Sequence, residues 1–238
     1  MKVGIIAAGE GSRLRGDGVT ALKPLVRVNG TPILERLLRQ YHSIGISEAY
    51  CIINEESIAV KSYVDGQKLP FPVHFQIKST ESSMHSLFEL APYLMADHFL
   101  LSTVDSIFDT SELAGFIEAA RTRGVDGLIA VTQHAGDENP LWVELDRSDR
   151  IVAFRKPASG EFFVTGGLYF FSPRIFVERR EALKRNISRL RNFLGLLVER
   201  EYVLHGYRFK RMVDLDHAVD IRLAEEFLHS VGAHKASA

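Results

Sequence analysis

The sequence predicts an α/β fold: a mainly parallel, right-handed sheet with helices between its strands. Three observations carry that reading. A short, almost wholly apolar run spans Val3 to Ala7, and similar β-rich runs recur at Ala49 to Ile53, Val73 to Ile77, Phe99 to Thr103 and Leu128 to Val131, as suits strands buried on both faces. Segments with helical spacing alternate with them: Ile33, Leu34, Leu37, Leu38 and Tyr41; then Leu87, Leu90, Ala91 and Leu94; then Leu113, Phe116, Ile117 and Ala120. The first run passes directly into a glycine-rich, cationic loop, Gly9-Glu10-Gly11-Ser12-Arg13.

After Val131 the rhythm changes. Trp142-Val143-Glu144-Leu145, Ile151-Val152-Ala153-Phe154 and Leu168-Tyr169-Phe170-Phe171, with Asp146-Arg147-Ser148-Asp149 as a turn, predict a strand-rich insertion that includes a hairpin. Two helical segments follow, Ile175 to Leu183 and Leu190 to Glu199. The chain then runs through a short apolar-acidic strand to a helix over Ala218 to Leu228, and Gly232 to Ala238 reads as a frayed tail.

At 238 residues and 46% hydrophobic content the chain buries a substantial core, as one large domain or one domain with insertions. No linker or repeat interrupts it. Lys and Arg total 29 against 30 acids, a formal net charge of -1, so no global basic field exists to hold nucleic acid and any phosphate site is local. Cys51 has no second cysteine to pair with, and the N-terminus lacks the pattern of a secretion signal, which makes the cytoplasm the expected compartment. No apolar run approaches the roughly 18 residues of a membrane span, so no membrane partner is expected.

The loop after the first strand reads as a triphosphate grip. Gly9 and Gly11 permit positive φ and close backbone approach, so that N–H groups converge on phosphate oxygens, while Arg13 and Lys23 add positive charge. The dinucleotide fingerprint needs a third glycine and an acid about 20 residues on, and the ATPase loop needs Gly-Lys-Ser/Thr; neither fits. As a bland alternative the segment is a strand-turn with a solvated Arg and Lys. Ala7-Ala8-Gly9-Glu10-Gly11-Ser12-Arg13-Leu14, followed by Thr20 and Lys23-Pro24-Leu25, resembles the signature of the sugar-phosphate nucleotidyltransferases, the NTP transferases that make sugar nucleotides. The family's proline directly before the lysine is replaced here by Leu22.

The resemblance implies a Rossmann-like, mixed but mainly parallel sheet sandwiched by helices, with a small strand-rich insertion on the acceptor side. The nucleotide half would occupy about 1–131, the acceptor half 132–212, and a metal strand with a closing helix 213–231. Arg13 and Lys23 would be catalytic, and Ala7, Ala8, Gly9, Gly11, Ser12 and Ser83 would contact the nucleotide.

Phe99 to Asp105 places an acid just past the carboxyl end of a buried strand, where ligands bind in open α/β sheets. Asp105 is the first metal-ligand candidate. In Val213-Asp214-Leu215-Asp216 the two acids project to one face of an extended segment, so either is a candidate for the second. The stretch Asp214 to Ile221 is similar to the family's acid-Ile-Asp-x-x-x-Asp-Leu, which implies Asp216. Two carboxylates suit Mg²⁺, the cofactor the resemblance implies, because that ion keeps several waters and phosphate oxygens. By pattern alone, Asp105 is equally a strand-end acid or helix cap, with Asp109 or Ser111 competing for the capping role, and Asp216 equally caps the last helix. His217 reads as a surface or capping neighbour.

Ile151 to Pro157 resembles the family's Phe-x-Glu-Lys-Pro, which implies that Lys156 meets the acceptor phosphate; Arg155 stands where the family has an acid, removing a sugar-hydroxyl acceptor and adding charge. Thr165-Gly166-Gly167-Leu168-Tyr169 resembles Asn-x-Gly-Ile-Tyr, implying that Gly167 lets the acceptor approach the backbone; a bulge is the plain alternative. Ser82-Ser83-Met84-His85-Ser86-Leu87 is nearer to a type seen in some cytidylyltransferases than to Gly-Thr-Ala-Gly-Ala-Leu, and either serine also suits a helix N-cap. Base and acceptor stay open. The expected chemistry is attack by an acceptor phosphate on the α-phosphorus of a nucleoside triphosphate, releasing pyrophosphate. The rival readings are a metal-dependent glycosyltransferase of related fold and a non-catalytic nucleotide-sugar sensor.

Overall fold

The computed structural model describes residues 1–134, 139–158 and 160–236, with side chains to Gly232. The chain opens with β1 (Lys2–Ile6) and a single helical turn α1 (Ser12–Gly16), then the small ribbon β2 (Arg27–Val28) and β3 (Thr31–Pro32). Helix α2 (Ile33–Ser43), β4 (Glu48–Ile53), α3 (Ile58–Asp65), β5 (Val73–Ile77), α4 (Ser83–Leu94) and β6 (Phe99–Thr103) follow in strict alternation. Next come β7 (Ser106–Ile107), α5 (Thr110–Thr122) and β8 (Gly127–Thr132). The second half carries β9 (Trp142–Leu145), β10 (Ile151–Ala153), β11 (Phe163–Phe171), α6 (Arg179–Lys184), α7 (Leu190–Glu199), β12 (Leu204–Arg208), β13 (Val213–Asp214) and α8 (Ala218–Ala236).

The main sheet has the order β10-β9-β11-β6-β1-β4-β5, with β8 beside β11 and β12 beside β8. The β1, β4, β5 and β6 pairs and the β8–β12 pair are parallel. Strand β11 runs antiparallel to β6, β8 and β9, so the sheet is mixed. The predicted hairpin is β9–β10, turned at Asp146, whose Oδ1 accepts from the Ser148 N–H at 2.8 Å.

Apolar side chains from the strands serve two cores. Val3 and Ile5 of β1 pack with Leu34, Leu37, Leu38 and Tyr41 of α2, while Ile6 faces Leu87, Leu90 and Leu94 of α4. On β6, Leu100 joins the first core and Phe99 and Leu101 the second. Continuous apolar runs arise because both faces are covered, and each buried Leu or Phe contributes roughly 1.5–3 kcal/mol.

Four expectations need correction. Val73 to Ile77 is a strand, but it lies at the sheet edge with His74 and Ile77 exposed and the other three positions half-buried, instead of being buried on both faces. The segment from Ile175 is split: Pro173–Glu178 forms a 3₁₀ helix and the α-helix begins only at Arg179, because Pro173 starts a tight turn capped by the Ser172 hydroxyl. β11 begins at Phe163, five residues before the apolar run that announced it. Helix α8 continues through Ala236, so helix replaces the expected frayed tail over most of that stretch. Among the described residues no helix is long and apolar enough to cross a membrane.

Candidate active site

A cavity of about 850 Å³ opens at the carboxyl ends of β1 and β6, where an open α/β sheet presents its loops to a ligand. Its floor is made by the glycine loop. Gly11 sits at φ 63°, a left-handed conformation, immediately before α1, and a Cβ there would lie 3.1 Å from Lys23 Cβ. Gly11 therefore answers both to backbone geometry and to the lysine stem that passes over it. Gly9 is different: it is not among the residues with positive φ, and a Cβ on it would meet nothing within 4 Å. Gly9 does not use the positive φ that glycine permits; its small size leaves the loop backbone uncovered beside the cavity. Ala8, Gly9, Gly11, Ser12 and Arg13 line the cavity, whereas Ala7 turns into the core, its N–H bonded to the Ile52 carbonyl at 2.9 Å.

Lys23 is delivered by a 3₁₀ turn over Lys23–Leu25, closed by the Leu25 N–H on the Leu22 carbonyl at 2.7 Å. Its Nζ donates to Asp105 Oδ2 at 2.7 Å and to Asp216 Oδ1 at 2.8 Å, while Arg13 Nη1 lies 2.9 Å from Asp216 Oδ2. Two cations and two carboxylates thus converge from three distant parts of the chain. Burial alone would push the Lys23 ammonium down, but the charges of Asp105 and Asp216 outweigh it and its pKa is raised. Burial also pushes Asp105 up, and here Lys23 wins, leaving that carboxyl below its ordinary value.

Capping explains why Asp216 is free to face inward. The first amides of α8 are taken by other acids: Asp220 Oδ2 accepts from the Asp216 and His217 N–H groups at 3.0 and 2.7 Å, and Asp17 Oδ2 accepts from the Ala218 N–H at 2.9 Å. The alternative of Asp216 as a side-chain cap therefore falls away, and His217 stands beside Asp17 as a neighbour of the cap, with Nδ1 2.9 Å from Asp17 Oδ2. Likewise Asp109, not Asp105, caps α5, accepting from the Ser111 N–H at 3.1 Å.

Asp214 also lines the cavity but pairs with a hydroxyl, accepting from Ser106 Oγ at 3.1 Å. Desolvation, then the negative charge of Asp105, pushes its pKa up to about 8. A carboxyl with a folded-state pKa above its unfolded value holds its proton better when folded. Its contribution to stability is complete below about pH 4 and is lost as pH rises through about 8. Asp214→Asn should remove that slope, on the order of 1 kcal/mol per pH unit. Urea titrations at successive pH values check this, and parallel stability curves for variant and parent would contradict it.

Gly166 and Gly167 form the opposite wall. Gly167 has φ 72°, and the register of β11 against β8 shifts between Thr165 and Tyr169, so the predicted bulge is present. Lys156 stands apart from the other predicted residues. It does not line the cavity; its Nζ sits 5.2 Å from the Trp142 ring centre and 5.5 Å from that of Phe162. The expected extra charge at Arg155 is compensated, since its Nε lies 2.8 Å from Glu144 Oε2. Ser82 and Ser83 line the cavity, yet neither hydroxyl caps α4: Ser82 Oγ accepts from the Arg189 N–H and Ser83 Oγ from the Leu190 N–H, each at 2.9 Å. Sequence reasoning missed Arg191, on the first turn of α7, and Arg211, which also line the cavity. The cue for Arg191 was a cation beside the apolar face of α7.

Among the described residues no group of three or more His, Cys, Asp and Glu side chains is placed to hold a metal ion. The all-oxygen pair Asp105 and Asp216, aimed at one point, nevertheless suits a hard cation that takes its remaining ligands from phosphate and water.

Residues 3–193 match the model of the MobA-like NTP transferase domain. The chain belongs to that family. Among curated proteins, this NTP transferase domain is 30% identical over 186 residues to a glucose-1-phosphate thymidylyltransferase of Streptomyces antibioticus, covering 74% of this chain and 50% of the relative. It is 25% identical over 212 residues to the bifunctional protein GlmU of Methanocaldococcus jannaschii, covering 85% and 49%. The chain thus spans about half the length of these two relatives. A solved structure of the inositol-1-phosphate CTP transferase from T. maritima superposes with a TM-score of 0.79 at 18% identity, covering 94% of this chain and 93% of that one. It shows the fold of the NTP transferases, a mixed, mainly parallel sheet flanked by helices.

Proposed function

We propose that the protein transfers a nucleotidyl group from a nucleoside triphosphate to a sugar 1-phosphate or a similar phosphorylated acceptor, releasing pyrophosphate. The observation that carries this reading is the convergence of Lys23 and Arg13 on Asp105 and Asp216 above the glycine loop. Family membership and the named activities of the relatives support it.

In this reading an acceptor phosphate oxygen attacks the α-phosphorus in line, a new P–O bond forms, and the bond to the β-phosphate oxygen breaks, with pyrophosphate carrying away the electron pair. The phosphate nucleophile is already ionised, so no general base is required. Arg13 cancels charge on the β- and γ-phosphates and the leaving group. Lys23 exchanges its carboxylate partners for the α-phosphate and the acceptor. Arg191 is the acceptor-side cation within the cavity, and Gly167 keeps the wall there thin. Asp105 and Asp216 would hold Mg²⁺, which when bound neutralises triphosphate charge. We place the reaction in the cytoplasm.

The test is pyrophosphate release with Mg²⁺, crossing four ribonucleoside triphosphates and dTTP against sugar 1-phosphates, phosphocholine and related alcohol phosphates. Release that depends on one pair supports the transferase and names both substrates. Nucleotide binding without release from any pair would replace it with a sensor.

A further inference from the structure

Serine at a helix start ordinarily turns its hydroxyl to the amides of its own first turn. Ser82 and Ser83, at the start of α4, spend theirs 107 positions away, on the Arg189 and Leu190 N–H groups that open α7. Helix α7 has no cap of its own, because the flanking residue is Arg189, at φ 66° and ψ 140° with no side-chain capping bond. That backbone conformation is strained for an L residue and persists only where neighbours enforce it. The enforcing groups are visible: His85 Nδ1 lies 3.0 Å from Ser82 Oγ, and Thr80 Oγ1 lies 2.7 Å from Ser86 Oγ, tying the loop before α4 to the helix itself. On the far side of the joint, Arg191 reaches the same cavity, with Nη2 donating to the Asn139 carbonyl at 3.0 Å.

We infer that Ser83, assisted by Ser82, is a positioning residue that fixes the first turn of α7, so that the loop on one wall of the cavity sets where Arg191 meets the acceptor phosphate. This rests on the transferase reading above. Ser83 then acts on the acceptor through α7, in place of the nucleotide contact its position suggests. Its oxygen accepts from the Leu190 N–H at 2.9 Å, which ties it to the first turn of α7. Loss of that bond frees a strained turn, and a displacement of about 1 Å at an orienting arginine is enough to weaken catalysis severely.

The experiment compares Ser83→Ala, Ser83→Thr and Arg189→Gly. It uses amide exchange over residues 186–194 and steady-state kinetics with the substrate pair found by pyrophosphate release. For Ser83→Ala the expected result is at least about fivefold faster exchange at the start of α7 and an acceptor KM raised about tenfold. Affinity for the triphosphate, measured by calorimetry, should stay within about twofold. Ser83→Thr restores both properties because it keeps the hydroxyl. Arg189→Gly keeps the amide and relieves the backbone, so its acceptor KM should stay within about threefold even if Ser83→Ala folds poorly. Weakened triphosphate binding with an unchanged acceptor KM would overturn the inference, as would unchanged exchange. A tenfold acceptor defect in Arg189→Gly would move the contact to the Arg189 side chain and also overturn it. Failure of the transferase reading has a separate sign, no release by the parent protein from any pair, and the exchange measurement then still decides whether the serines hold α7.

Discussion

Lys23→Ala should lower pyrophosphate release by about a thousandfold or more, and Lys23→Arg should not restore it. The lysine touches both carboxylates, at 2.7 Å to Asp105 and 2.8 Å to Asp216. Only 11% of its side chain is exposed, so little water replaces it when it is removed. Its loss leaves two acids facing each other across a cleft, and truncating one partner of a buried pair typically costs about 3–5 kcal/mol of stability. Denaturant titration therefore accompanies the kinetics. At temperatures where the variant stays folded, the kinetic defect should persist at saturating acceptor, because a group that bridges the reacting phosphates acts in the transition state. Arginine fails for a geometric reason: the planar guanidinium cannot enter the space that a tetrahedral ammonium shares with Asp105, Asp216 and the wall under Gly11. Turnover equal to the parent in Lys23→Ala would remove this residue from the chemistry.

Much of the scaffold was legible because its cause is local. An apolar run covered on both faces, such as Val3 to Ile6 or Phe99 to Leu101, announces a buried strand without knowledge of its neighbours. The same holds for the loop from Gly9 to Arg13, where glycine and cation occur within one short segment. The incomplete burial of Val73 to Ile77 was legible in the alternation of His74 and Gln76 with Val73, Phe75 and Ile77, but its place at the sheet edge depends on which strand lies beyond it. Capping was legible only in part. Asp109 and Ser111 lie in one turn and were foreseeable as a cap, and Asp220 is equally local in the first turn of α8, but the other cap of α8 is Asp17 and those of α7 are serines 107 positions earlier. The setting of Lys156 was not legible: its ammonium lies over Trp142 of β9 and over Phe162, just before β11, partners that the local Lys-Pro pattern does not announce. Arg191 also lines the cavity, and its sequence cue was no more than a cation beside the apolar face of α7.

Gly167→Ala is expected to damage fold and site together, whereas Gly9→Ala should leave the fold intact. A Cβ at 167 would stand 2.3 Å from both Thr103 Oγ1 and Ser106 Oγ, on a backbone held at φ 72°. Neither hydroxyl has somewhere better to go. They are 3.1 Å apart, Thr103 Oγ1 reaches the Gly167 carbonyl at 3.4 Å, and Ser106 Oγ donates to Asp214 Oδ1 at 3.1 Å. Relieving the clash breaks these bonds two residues from Asp105 on one side and two from Asp216 on the other. Positive φ costs an L residue about 1–2 kcal/mol, and the displaced polar groups add a similar amount, for a loss of roughly 2–4 kcal/mol. That corresponds to a fall in Tm of roughly 4–16 °C for a chain of this size. Because the rearrangement reaches the carboxylates, kcat/KM should fall beyond what partial unfolding explains when assayed well below the new Tm. At Gly9 a Cβ meets nothing within 4 Å, so Gly9→Ala should keep Tm within a few degrees and show its effect in triphosphate affinity alone, by covering the loop backbone. A Gly167→Ala protein with the parent's Tm and activity would mean that the wall of β11 yields freely, and the argument that this glycine is held by the packing of Thr103 and Ser106 would fail with it.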